Sequence, residues 1–188
     1  TLLNDGSPLL VEVVNFDTFK GLGGIRLPIS LELSAPDTGE KVYVQKLMVY
    51  TCQFFPTMRQ NVTPVLPGIK WNGESWPEGE VKQWSGKDEV PLEPEDFSAL
   101  QEDYVVPSLM LQPVQLTEAW KVTWTTTSGT MSSYTTGGVD VVGEASRHNS
   151  RWMPDQKATE PTDVNFWFIV RDGRGGMTWL QRQARWTP

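Results

Sequence analysis

The stretch FWFIVRDGRGGMTWL (residues 166–180) decides the fold class. On its upstream side Val164, Phe166, Phe168 and Val170 recur at every second position, the period of a strand with one buried face. Downstream, Leu180, Ala184 and Trp186 mark the inner face of a second strand, with Arg182 as an exception at its middle. Between them stands Asp172-Gly173, a strong hairpin signal because glycine takes positive φ at no steric cost. Gly175 and Gly176 then predict a longer, bulged loop. A phosphate cradle would need these glycines to lead from a strand into a helix, and here they lead into another strand. The segment is read as a structural hairpin, with Arg171 and Arg174 as turn residues.

Working outward, the same alternation recurs. In IRLPISLEL (residues 25–33), Ile25, Leu27, Ile29, Leu31 and Leu33 share one face, and Pro28 predicts an edge strand or a bulge. APDTGEK (residues 35–41) reads as a turn, and KVYVQKLMVYTCQFF (residues 41–55) as one long strand or two. In AWKVTWTTT (residues 119–127), Trp120, Val122, Trp124 and Thr126 face one way. GLGG (residues 21–24) fails the dinucleotide pattern, since Arg26 stands where the third glycine belongs. EPEDFSALQEDY (residues 93–104) is the best helix candidate, with Pro94 in its first turn and acids near the positive end of the dipole. Several short strands and no long helix predict an all-β protein.

Charge and composition exclude several functions. The 188 residues carry a formal net charge of −7, which opposes binding to nucleic-acid phosphates or to anionic lipid. No apolar run is long enough for a membrane helix. No signal-peptide pattern opens the sequence, and its start at Thr1 is expected for a processed or trimmed chain. The single Cys52 cannot close an internal disulfide or build a zinc site, and is read as a buried thiol in a strand.

Between residues 56 and 107 the alternation gives way to seven prolines, from Pro56 to Pro107, with Trp71, Trp76 and Trp84 among them. Such a long irregular stretch is uncommon in a compact domain and is often functional. These three tryptophans are the expected partner-binding residues; the alternative is that they form a satellite core.

No catalytic constellation stands out. His148, in SRHNSR, is read as a solvated loop histidine in preference to a base for Ser146 or Ser150 oriented by Asp155 or Asp163. Glu93, Glu95, Asp96, Glu102 and Asp103 could supply a glycosidase pair, but the spacing better fits a solvated face or a cap. No EF-hand run exists; a loop-built calcium site using Asp17 or Asp140 stays open. Asn61-Val62-Thr63 is formally a glycosylation acceptor. No catalytic residue, metal ligand or cofactor is assigned.

Three segments in order, VTWTTTSGT (residues 122–130), NSRWMPD (residues 149–155) and FIVRDGRGGMTW (residues 168–179), resemble bacterial immunoglobulin-like modules of the polycystic-kidney-disease type. Those show a Trp strand, a T-x-G turn, a Trp near a Pro, and a V-x-D-G-x-G-G hairpin. FWFIVRDGRGG is also similar to the ends of uncharacterised envelope lipoproteins of myxobacteria. The resemblance covers about residues 113–188. It implies an immunoglobulin-like module over residues 113–188; residues 1–112, which it does not cover, are read as a second β-sandwich-like unit carrying the Trp/Pro-rich insertion 56–107, so that the expected fold is all-β with two immunoglobulin-like β-sandwich units. It further implies a non-enzymatic, extracytoplasmic structural or protein-binding module of the outer membrane or cell surface of a Gram-negative bacterium. The expected partners are other envelope or surface proteins, not nucleic acid, with membrane attachment only through an upstream lipid anchor. The alternatives are a carbohydrate-binding module using exposed tryptophans and a glycoside hydrolase-like enzyme using the acidic cluster.

Overall fold

The computed structural model describes residues 8–18, 21–139 and 145–188. Alternating sequence becomes strand nearly throughout, and the described α-helix is short, α1 (Pro8–Phe16). The protein is all-β, with several sheets and none closed. Its chain divides into two compact units, one of Thr1–Gln60 with Tyr104–Leu116 and one of Asn61–Asp103 with Thr117–Pro188.

The first unit holds α1 and a long ribbon, β1 (Ile25–Ser34) paired antiparallel with β2 (Lys41–Tyr50). Its turn is the expected one: Ala35 N–H donates to Glu40 O, and Gly39, at φ 70°, donates to Ala35 O. As Pro28 suggests, β1 is an edge strand: among the described residues it pairs with β2 alone. The strand stops at Tyr50, so Cys52 lies beyond it and is half-buried, not enclosed within a strand. The sheet formed by β7 (Asp103–Pro107) and β8 (Pro113–Thr117) is also two-stranded, and Tyr104–Leu116 of it belongs to this unit.

The second unit contains two five-stranded sheets. One is ordered β10 (Thr130–Met131), β12 (Ser150–Met153), β6 (Val90–Pro94), β3 (Ile69–Trp71), β4 (Glu74–Ser75). The other is ordered β11 (Thr135–Gly137), β9 (Lys121–Thr126), β13 (Thr162–Arg171), β14 (Met177–Thr187), β5 (Val81–Ser85). The β13–β14 hairpin pairs from Thr162–Trp186 to Arg171–Met177, as its alternation predicts. Inward residues of both sheets share one core, including Trp71, Leu92 and Trp152 from the first and Trp124, Phe166 and Trp186 from the second. That layering is consistent with a β-sandwich.

Three expectations change. Residues 69–94 are not an irregular insertion: four of their segments are strands, β3 and β6 inside the first sheet, β4 at its edge and β5 running parallel to β14. Accordingly residues 61–103 group with residues 117–188, and the expected boundary near residue 113 falls inside the β7–β8 sheet. The expected helix over residues 93–104 is a single 3-10 turn, Ser98–Leu100. Its backbone is committed elsewhere: Glu95 N–H donates to Gly68 O, Asp96 Oδ1 accepts Ser98 N–H, and Phe97 is buried in the core.

Candidate functional site

The RDGRGG loop (residues 171–176) has the geometry of a pinned turn. Asp172 is buried, and its carboxylate accepts the N–H groups of Arg174 (2.7 Å) and Gly176 (2.9 Å) and the Asn61 side-chain amide (2.5 Å). Asn61, the formal glycosylation acceptor, thus holds the loop with the nitrogen a glycan would occupy. Arg174 reaches Glu102 and Glu118 at 3.1 Å each. Glu118 is fully enclosed and also accepts Trp120 Nε1–H at 2.8 Å. Every carboxylate of this junction has its donors, so it acts as a clamp within the second unit.

The other acids of the expected cluster have local partners. Glu93 faces Lys70 at 3.7 Å, Glu95 accepts the Ser75 hydroxyl at 2.7 Å, and Asp103 accepts the Thr117 hydroxyl at 2.6 Å. The Ser98 backbone N–H and then its hydroxyl hold the exposed Asp96 carboxyl below the usual range. Each of these acids thus takes part in a local structural bond.

His148 is buried, contrary to the solvated loop expected, with its ring edge-on to Phe97 at a centroid distance of 4.9 Å. A Cβ on Gly137 would strike the imidazole, so the adjacent β11 leaves it no open side there. Ser150 donates its hydroxyl to Ser133 O at 2.7 Å, Asp155 accepts Lys157 N–H at 3.0 Å, and Asp163 pairs with Arg185 at 2.8 Å. The side chain of Ser146 and all of Asp140 lie outside the described residues. Asp17 accepts Gly21 N–H at 2.7 Å, beside an open cleft of about 650 Å³ that Glu12 and Arg26 also line. Among the described residues no three His, Cys, Asp or Glu side chains group as metal ligands.

The three tryptophans expected to meet a partner lie elsewhere. Trp71 is 5% exposed and Trp76 1%, their rings edge-to-face at 4.7 Å, and both contact Phe166. Trp84 is half-buried against Trp71, with Nε1–H donating to Asp88 O. The structure places these rings in or against the core, the satellite alternative made integral, because β3 and the turn after β4 carry them inward. Trp179 is the tryptophan with a largely open ring.

What sequence reasoning passed over is the first unit. Among the described residues, the buried hydrophobics that belong to it are Ile25 and Met58. The register puts Leu27 opposite Met48, Ile29 opposite Lys46, Leu31 opposite Val44 and Leu33 opposite Val42, and residues directly opposite share a face. This makes a continuous apolar face interrupted by one lysine, and it is open: Leu31 is 53% exposed and Val44 48%. The alternation was visible in the sequence. Its exposure was not, since a period of two says which residues share a face but not whether anything covers it.

Comparisons with protein-family models, with curated proteins and with solved structures find no match to this chain.

Proposed function

We propose that the chain is a non-enzymatic, protein-binding module, with an immunoglobulin-like second unit as carrier and the β1–β2 face as docking surface. One observation carries this reading: a ten-residue two-stranded ribbon exposes its apolar face. A two-stranded ribbon is marginal alone, and contiguous exposed apolar area marks interaction sites. The lone Lys46 within that face sets the partner's chemistry: an apolar strand or helix face bearing a carboxylate opposite the ammonium. Action outside the bacterial cytoplasm, in an envelope or surface assembly, rests on the resemblance of residues 113–188 alone.

The test is a pair of variants, Leu31→Asp and Val44→Asp, in the full chain. Each should weaken co-purification with the partner by roughly tenfold or more, the loss of about 2 kcal/mol typical of a hot spot. Melting of the second unit should not change. Lys46→Glu should weaken the same complex and Lys46→Arg should preserve it. Retention of the partner by both aspartate variants would sink the reading.

A further inference from the structure

We propose that the tip of the β7–β8 ribbon is a lipid-contact device that enters one leaflet of a zwitterionic membrane. The observation is independent of the β1–β2 docking face. Residues 104–117 contain no Asp, Glu, Lys, Arg or His, in a chain of formal net charge −7. Charge resumes along the sequence at Glu102 and Asp103 on one side and at Glu118 on the other. At the tip, Leu109 is 81% exposed and Met110 86%, with Leu111 beside them at a positive φ of 55°.

Hydrocarbon imposes a condition that a wet protein surface does not, since backbone polar groups must be satisfied internally. The turn meets it in part. Ser108 N–H donates to Gln112 O at 2.8 Å, and Leu111 N–H donates to Ser108 O at 2.9 Å. Gln112 N–H donates to the Ser108 hydroxyl at 3.0 Å. Pro107 and Pro113 flank the turn and bring no N–H at all. The β1–β2 ribbon differs in this respect, carrying Arg26, Glu32, Lys41 and Lys46 along its strands.

Reach and charge set the depth and the lipid. The charge-free part of β7 is only residues 104–107 and the β7–β8 sheet is two-stranded, so the strands stay at the headgroup level and the side chains of the tip alone enter hydrocarbon. Insertion into one leaflet follows, not a span. Tyr104, next to the charge boundary, is a residue type that settles at the headgroup level. The formal net charge of −7 opposes anionic lipid, so the surface that fits is a zwitterionic one of phosphatidylcholine or phosphatidylethanolamine.

The experiment uses the full chain and phosphatidylcholine vesicles. The chain should co-sediment with them to the same extent at low and high salt, since apolar insertion is not screened. Leu109→Asp with Met110→Asp should lower partitioning about tenfold or more while leaving thermal melting unchanged, because both side chains face solvent. In a Cys52→Ser, Met110→Cys chain, an environment-sensitive fluorophore at residue 110 should shift to the blue on adding vesicles and be quenched by brominated acyl chains. The proposal is overturned if that fluorophore does not respond, or if the double aspartate variant binds vesicles like the parent. It is equally overturned by binding that needs anionic lipid and fails at high salt, or by capture of the tip in a protein pocket with no vesicle binding.

Discussion

At the scale of single residues, the Arg174 clamp is where burial and charge meet. Glu118 is enclosed, and its oxygens take Arg174 at 3.1 Å, Trp120 Nε1–H at 2.8 Å and Glu102 N–H at 3.2 Å. A buried carboxylate is tolerated while those donors stand, and removing one charged partner of such a pair costs about 3–5 kcal/mol. Arg174→Met should therefore lower the unfolding free energy, read from urea denaturation, by an amount in that range. Adding Glu118→Gln should restore a good part of the loss, because a neutral amide no longer needs a countercharge. Strictly additive losses in the double variant would show that the two charges are not coupled. Nothing in the spacing of residues 102, 118 and 174 announced this contact. Sequence alone made Arg174 a turn residue, which it is by position, while its guanidinium closes a junction between segments far apart in the chain.

Among the elements, the β13–β14 loop gives a sharp comparison of two glycines. Gly173 has φ 80° and open space where a Cβ would stand, so Gly173→Ala meets backbone strain alone, about 1 kcal/mol. At Gly176 a Cβ would run into the Asp172 carboxylate, Pro64 and Asn61. Gly176→Ala should be the worse of the two by about 1–3 kcal/mol of overpacking and lost hydrogen bonds, read from urea unfolding. Equal costs would mean that Asp172 does not pin the loop. The same hairpin marks what the sequence makes legible. β9, β13 and β14 are long enough for period-two burial to show, and their inward residues are those expected. Residues 69–94 were opaque because their strands have two to five residues, with Pro91 inside β6. One local sign was present: Asn72-Gly73, both at positive φ (50° and 84°), closes the β3–β4 hairpin. The docking face was legible as a pattern and illegible as a surface, since burial is decided by residues far away in sequence.

For the whole molecule, stability is divided unevenly, and the division bears on function. The shared core of Trp, Phe and branched residues lies in the second unit, while among the described residues the first has Ile25 and Met58 as its buried hydrophobics. Opening free energies within one protein range from near zero to the global value, and elements with few buried contacts sit at the low end. In the isolated chain, amides of β1 and β2 should then exchange with deuterium at least ~30-fold faster than those of Phe166 and Phe168 in β13, an opening easier by about 2 kcal/mol. A partner that binds the folded ribbon adds protection by mass action, so saturating it should slow β1 and β2 selectively and leave β13 unchanged. Leu31→Asp should abolish that selective slowing. Were β1 and β2 in the isolated chain as slow as β13, the ribbon would need no partner to stay folded. The argument from its exposed face to docking would then lose its energetic basis, whatever the chain was found to bind.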